Sequence, residues 1–452
     1  MANRKKRNIS GKLKLSATQI IAVAFAAIIL LGAVLLMLPV SGKSGESCGF
    51  LPALFTATSA TCVTGLTVFD TGSYWSSFGK GVILCLIEVG GLGFMSVASV
   101  VLFLFKRKIG LRQRMVMAQA MSLNEMEDVV TLQKWVILGS LAIQAVGMVI
   151  LTLHFLPAVG FTQALKWGVF HAVSAFCNAG FDVFGTGQSI VHLNGDPVVC
   201  ITLMALVVIG GLGFFVWEEI ATKRHFKRFS VYTKLVLITS GVLIVVGAGL
   251  FLLLEWQNPA TIGNMPLRQK VLNAFFQSVT LRTAGFASVD QGMLTEGSKA
   301  MSIVWMLIGG SSGSTAGGLK TVTFVVILLF IWTRARGRNT ISVFKRTIPS
   351  EKVLDAMTIV SIMITLCFAG AVFIAATSPV GFVDSLYETA SALGTVGLTA
   401  NVTGKLSMAA KMLIILFMYF GRVGVLTISL GFLMGNKAKD RFRYADTNLL
   451  IG

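Results

Sequence analysis

Charge is what this sequence has least of. Asp, Glu, Lys and Arg make up 13% of its 452 residues, against about 25% in soluble globular domains. Hydrophobic residues make up 55%, and the mean hydropathy is +0.80. That composition excludes a soluble protein and places the chain in lipid. Cysteines are few and unpatterned. Cys48, Cys62, Cys85, Cys177, Cys200 and Cys367 form no CxxC and no metal-ligand spacing, so no metal site is expected. Most fall in or near apolar runs and are expected to be free thiols acting as small hydrophobes. HExxH, paired aspartates and a GxS nucleophile are all missing from the apolar runs, which excludes an intramembrane enzyme. No run carries arginine at every third residue, which excludes a voltage sensor.

Long apolar runs are what the sequence does have. A bilayer core of roughly 30 Å needs about 20 apolar residues in a helix. Eight runs qualify: Thr18–Leu38, Val82–Phe105, Trp135–Leu156, Val198–Ala221, Leu235–Leu254, Ile303–Trp332, Ala356–Ala376 and Met408–Met434. The first is too long for a signal-peptide core and no cleavage site follows it, so it is expected to be a retained helix.

The 38 basic residues outnumber the 19 acidic ones, but their placement argues against nucleic acid. They cluster in the N-terminal tail (Arg4 to Lys14) and at Lys106–Arg114, Lys223–Arg228, Arg334–Arg346 and Lys437–Arg443. Each cluster abuts a span, as the positive-inside rule demands of the cytoplasmic side. Both termini are therefore expected in the cytoplasm. The clusters also suit anionic lipid headgroups.

Four short segments repeat one pattern: Val63-Thr64-Gly65-Leu66, Asn178-Ala179-Gly180-Phe181, Thr283-Ala284-Gly285-Phe286 and Thr395-Val396-Gly397-Leu398. Their glycines are 115, 105 and 112 residues apart, which is a fourfold internal repeat. A short apolar helix is predicted before each: roughly Leu51–Ala60, Thr162–Phe176, Arg268–Thr280 and Phe382–Leu393. These are too short to span and must re-enter the side they left. Non-helical backbone is tolerated at that depth only around a protein-lined or watery cavity. Four loops facing one axis meet that condition. The negative ends of the short helices would then point at the axis and favour a cation. Glycine supplies backbone angles that other residues resist. Thr395-Val396-Gly397 also has the sequence of a potassium-channel filter, where carbonyls replace the ion's water shell. No carboxylate ring lines the loops, so carbonyl coordination of K⁺ is expected. Glu46, Asp70, Asp182, Asp196, Asp290, Glu296, Asp384 and Glu388 are placed at the outer mouth, as cation attractors or as ordinary solvated charges.

The expected fold is therefore an all-α polytopic membrane protein. Four helix–re-entrant loop–helix repeats with pseudo-fourfold symmetry surround one pore, with eight transmembrane helices and four re-entrant ones. The repeats divide at 1–125, 126–229, 230–349 and 350–452.

Two features fall below the loops. Gly309, Gly310, Ser311, Ser312, Gly313, Ser314, Thr315, Ala316, Gly317 and Gly318 interrupt the sixth apolar run. Such residues cannot hold a straight helix in lipid. The stretch reads as a gate; close helix packing is the alternative, and a phosphate loop fails because lysine comes one position late. Nothing similar is expected in the other runs, which carry only Gly90-Gly91-Leu92-Gly93, Gly210-Gly211-Leu212-Gly213 and Gly421-Arg422-Val423-Gly424. Arg422 lies inside the last run. An intramembrane arginine is costly and usually functional. It reads as an electrostatic barrier in the pore, or as the partner of a carboxylate, with Glu88 the candidate. Arg282 and Lys320 have no assigned role. His171 reads as a packed helix residue.

On the four glycines, the Gly309–Gly318 loop and Arg422, the chain resembles the superfamily of K⁺ transporters that comprises TrkH, KtrB and the plant HKT proteins. Eight spans without an extra N-terminal helix pair resemble its KtrB branch, and glycine in all four loops fits a K⁺-selecting member. The resemblance implies a homodimer in a bacterial plasma membrane with one pore per subunit. It implies a cytosolic KtrA-type RCK ring that opens the pore with ATP and closes it with ADP. It also implies a dependence on Na⁺, for which no site is legible. With no nucleotide-binding domain of its own, the chain would be regulated by that partner, docked on the basic loops. An alternating-access carrier for another small solute is the competing expectation, but it would show two inverted repeats rather than four parallel ones with a single broken helix.

Overall fold

The computed structural model describes residues 17–93 and 129–424. The N-terminal tail, the Lys106–Arg114 and Lys437–Arg443 clusters and the ends of two apolar runs lie outside them. The described chain is almost entirely helical: α1 (Ala17–Met37), α2 (Phe50–Thr61), α3 (Thr71–Tyr74), α4 (Ser77–Leu92), α5 (Val129–Val159), α6 (Phe161–Phe176), α7 (Pro197–Leu212), α8 (Phe214–Lys223), α9 (Val231–Glu255), α10 (Leu267–Thr280), α11 (Glu296–Leu307), α12 (Thr321–Ala335), α13 (Ser350–Thr377), α14 (Phe382–Gly394) and α15 (Met408–Val423). Two-residue strands β1 (Ser342–Val343) and β2 (Arg346–Thr347) make a small hairpin after α12. Within α1, α5, α9 and α13, Gln19–Met37, Gln133–Val159, Val231–Glu255 and Ser350–Thr377 are long and apolar enough to cross a membrane.

Capping chemistry sorts the helices into two kinds. Helices α4, α7, α11 and α15 start on Ser76, Asp196, Thr295 and Ser407, each accepting a backbone N–H of its own first turn. Those side chains satisfy donors that a helix start leaves open. Helices α2, α6, α10 and α14 start on Gly49, Gly160, Pro266 and Gly381 with no such cap. Their bounds match the predicted short helices to within a residue at each end.

Packing follows chain order. Each short helix lies closely on the long helix before it: α2 on α1, α6 on α5, α10 on α9, α14 on α13. Each capped helix also reaches the next short helix: α4 touches α6, α7 touches α10, α11 touches α14, and α15 returns to α2. The series therefore closes on itself. Leu31, Leu138, Leu253 and Leu354 are turned outward, as lipid-facing side chains are.

The expectation of a single broken helix is wrong. Helices α7 and α8 meet at Gly213 with a bend of 93°, so Val198–Ala221 is no straight span. Gly213 has φ +97°, and Gly93 and Gly424 end α4 and α15 with φ +82° and +96°. A positive φ is cheap only for glycine and stops a right-handed helix. The GG-L-G and G-R-V-G patterns thus end their helices.

Candidate functional site

The four repeated segments follow directly on the C-terminal ends of α2, α6, α10 and α14, and each turns back over its own helix. Thr64, Ala179 and Val396 donate their N–H to the carbonyls of Ser59, Ser174 and Ser391 at 2.7–2.8 Å, and Ala284 to that of Thr280 at 3.0 Å. Ser59 and Ser391 add their hydroxyls, each accepting from the loop glycine (Gly65, Gly397) at 3.0 Å.

The first and third residues of every segment have positive φ. Val63, Asn178, Thr283 and Thr395 lie at +55°, +60°, +68° and +51°, and Gly65, Gly180, Gly285 and Gly397 at +99°, +68°, +81° and +93°. The middle residues are not in that region. Alternating handedness turns successive carbonyls towards one side, where a regular strand would alternate them. For β-branched Val63, Thr283 and Thr395 this conformation is strained. The sequence carries no sign of it, because these residue types avoid that region.

The glycines close a ring. A methyl group added at Gly65 would lie 2.6 Å from the Ala179 carbonyl oxygen. At Gly180 it would lie 2.7 Å from the Ala284 oxygen, at Gly285 2.4 Å from that of Val396, and at Gly397 2.0 Å from that of Thr64. Each glycine thus faces the middle carbonyl of the next segment, and the fourth faces the first. Outside this ring lies a cavity of about 460 Å³, lined by all four glycines and by Asp70, Asp182, Asp290, Thr399 and Thr403. The Asp182 carboxyl is pushed up to about 6 by burial, with the neighbouring Asp70 charge adding to the shift. Not every acid placed at the mouth lines this cavity. Glu388 is fully buried in α14, Asp384 is paired with Lys299 at 2.8 Å, and Asp196 caps α7 and meets His154.

The glycine-serine loop joins α11 to α12 beneath the ring. Ser311 and Thr315 donate their N–H to Gly211 and Gly210 at 3.0 and 3.3 Å, and Gly313 O accepts from Phe214 N at 2.8 Å. The Thr315 hydroxyl is 3.1 Å from Phe176 O and 3.3 Å from the Asn178 amide. A methyl group at Gly317 would lie 2.0 Å from Thr395 Oγ1. Tyr232 donates its hydroxyl to Ser312 O at 2.9 Å. The loop therefore touches the second and fourth segments at once.

Two basic side chains hold adjacent carbonyls of that loop. Lys320 Nζ donates to Ala316 O at 2.8 Å. Arg422 donates from Nη1 to Thr315 O and from Nη2 to Gly90 O, and reaches Gly91 O at 3.0 Å. The expected Arg422–Glu88 pair is not formed. Glu88 accepts instead from Gln144 at 3.0 Å and Cys177 at 3.4 Å, because Arg422 is taken up by carbonyls that the broken helices leave free. Arg282 is buried behind the third segment, where Nη2 meets Ser240 Oγ at 3.1 Å. His171 is packed, with Nδ1 2.7 Å from Trp167 O and its ring stacked on Phe184. All six cysteines are free thiols.

These features define a class before they define a family: a helical membrane protein with four positive-φ loops that meet in one ring. Residues 2–440 match the TrkH family, described as a cation transport protein. The chain belongs to that family, and so transports cations rather than catalysing a reaction. It is 38% identical over 444 residues to the potassium/sodium uptake protein NtpJ of Enterococcus hirae, covering 97% of this chain and 98% of that one. It is also 38% identical to the Ktr system potassium uptake protein B of Bacillus subtilis, with 96% of each chain covered. The crystal structure of the potassium transporter TrkH from Vibrio parahaemolyticus shares the fold, with a TM-score of 0.73 over 95% of this chain and 86% of that chain at 17% identity.

Proposed function

We propose that the protein is a K⁺ uptake channel or transporter whose selectivity filter is the ring at Val63–Gly65, Asn178–Gly180, Thr283–Gly285 and Thr395–Gly397. One observation carries this: each loop glycine faces the middle carbonyl of the next segment, in an order that closes. Such a ring offers peptide oxygens to a weakly hydrated monovalent ion. The buried hydroxyls of Thr64 and Thr395, which have no partner among the described residues, are spare oxygens at the same place. In this reading the four quarters, divided at residues 1–125, 126–229, 230–349 and 350–452, are helix–pore helix–helix repeats about one axis, with eight spans.

The Gly309–Gly318 loop is the gate. It lies against the inner face of the ring, and its ties are mostly single hydrogen bonds, each worth about 1 kcal/mol net. Arg422 and Lys320 hold it shut and set a positive barrier in the path. The name of the Bacillus relative places that protein in a Ktr system. This chain would work in the same way, as a homodimer in the bacterial plasma membrane with both termini cytoplasmic. A KtrA-type nucleotide-binding ring would drive the gate, with ATP opening and ADP closing it and Na⁺ supporting uptake.

The test is flux in liposomes with K⁺, Rb⁺ and Na⁺, with and without a Ktr regulatory subunit. K⁺ and Rb⁺ should pass, Na⁺ should be rejected, and the subunit should raise the flux. A Gly285→Ser protein that keeps wild-type discrimination would overturn the filter.

A further inference from the structure

Glu388 stands on α14, seven residues before Thr395, with no exposed surface. Oε1 accepts the hydroxyl of Thr403. That hydroxyl lies 3.0 Å from the hydroxyl of Thr399, whose oxygen in turn accepts from Val402 N at 3.2 Å. Oε2 has no partner among the described residues. Lys299, a basic side chain that reaches α14, is bonded to Asp384 and Glu296 instead. A buried carboxyl group with no basic partner among the described residues is costly, so its presence here calls for a reason.

The position supplies one. Thr399 is two residues past Gly397, and Thr399 and Thr403 both line the cavity outside the ring. The bond therefore ties the fourth short helix to the segment that leaves the fourth loop. Two other quarters do the same with neutral groups. His171, seven residues before Asn178, accepts from Val183 N at 3.4 Å. Gln277 and Gln291 exchange two hydrogen bonds, at 2.7 and 3.1 Å. In the fourth quarter the strut is a carboxyl group, whose Oε1 accepts from a hydroxyl.

We propose that Glu388 is a positioning residue for K⁺ selectivity: through Thr403 and Thr399 it holds the outer end of the fourth loop at the width the ring requires. It acts as a hydrogen-bond acceptor and not as a fixed charge. The proposal rests on the reading of the ring as a filter.

The experiment compares Glu388→Gln, Glu388→Ala, Thr403→Ser and Thr403→Val in liposomes. It measures Rb⁺ half-saturation, maximal Rb⁺ rate and inhibition by Na⁺. Glutamine keeps an acceptor oxygen and serine keeps the hydroxyl, so both should stay within about twofold of wild-type discrimination. Alanine and valine remove one end of the strut. Both should lose about tenfold in Rb⁺ over Na⁺ discrimination at a retained maximal rate, the size expected for one lost hydrogen bond whose buried partner is left unsatisfied. Wild-type discrimination in Thr403→Val overturns the proposal, as does a Glu388→Gln protein impaired as badly as Glu388→Ala. Should Glu388→Ala fail to assemble, Thr403→Val decides, since it replaces a hydroxyl by a methyl group of the same shape. Failure of the filter reading looks different, because the wild type itself would then not discriminate.

Discussion

The carbonyl oxygen of Thr64 lies 2.0 Å from where a methyl group on Gly397 would stand, although 333 residues separate them in the chain. That contact joins the last loop to the first. It is backbone against backbone, so neither side can give way by rotating a side chain. Gly397→Ala is therefore expected to spread the ring and to lower Rb⁺ over Na⁺ discrimination by at least about tenfold, equivalent to ~1.4 kcal/mol. Competitive uptake in liposomes measures this, with size-exclusion chromatography to show that the variant still assembles. A variant with intact discrimination would mean that the ring is not the selective element.

Arg422 carries the second expectation. Its guanidinium spans the Thr315 carbonyl and those of Gly90 and Gly91, a fork that lysine cannot copy with one ammonium. Arg422→Ala should raise basal Rb⁺ leak severalfold and blunt the response to a regulatory subunit. Arg422→Lys should fall between it and wild type. Lys320→Met should raise the leak as well. Because the two cations hold neighbouring carbonyls of one loop, the double variant should leak less than the two single effects combined would give. Stopped-flow flux without and with a regulatory subunit reads all four variants. Unchanged leak with unchanged K⁺ dependence would make Arg422 a structural brace only.

Much of this site was legible from residue types and spacing. Four glycines at near-equal intervals placed the loops, and a lack of charge placed the helices around them. Other features were hidden for definable reasons. The first glycines of the three G-rich patterns look like ordinary packing positions. In the fold, a methyl group at Gly90, Gly210 or Gly421 would stand 1.9, 2.0 or 2.3 Å from the carbonyl of Thr61, Phe176 or Leu393, at the end of a short helix. Only a tertiary contact explains them. The 93° bend at Gly213 was masked by the apolar residues on both sides, which read as one continuous span. Glu388 looked like a mouth acid because sequence gives no depth, and its neighbour Asp384 does reach the surface. Strain at Val63, Thr283 and Thr395 is imposed by the ring, against the preference of those residues.

External pH gives a third expectation. Asp182 lines the outer cavity and its carboxyl sits at about 6, raised first by burial and then by Asp70. Above that value the group is charged and attracts cations; at pH 5 it is roughly nine-tenths protonated. Uptake at subsaturating K⁺ should therefore fall about twofold between external pH 7 and 5, while uptake at saturating K⁺ changes less. Asp182→Asn should be nearly flat over that range, at the acid level. The same shift has a stability sign. A carboxyl raised above its unfolded value near 3.8 binds its proton more tightly in the fold. It therefore favours the folded state at low pH and disfavours it as pH rises through about 6. Equal pH profiles for wild type and Asp182→Asn would remove this residue from the path of the ion.

Tyr232 tests whether the proposed gate is worked through α8 and α9. It sits at the start of α9, and its hydroxyl is bonded to Ser312 O in the loop at 2.9 Å. Nearby, Ser230 accepts from Thr233 N and is itself held by the buried Glu219 of α8, and Phe214 N at the elbow is bonded to Gly313 O. Adjacent carbonyls of the loop are thus tied to α9 and to the bent segment α8, which leads into the basic residues ahead of Ser230. A partner pulling on that segment would move Ser312 and Gly313 together. Tyr232→Phe removes one hydrogen bond and keeps the ring, a loss of about 1 kcal/mol if no water replaces it. Basal Rb⁺ leak should rise about fivefold, less than in Arg422→Ala, with Rb⁺ over Na⁺ discrimination untouched because no filter residue is altered. A fall in discrimination without a rise in leak would show that Tyr232 supports the filter, and that the loop is held shut from the pore side alone.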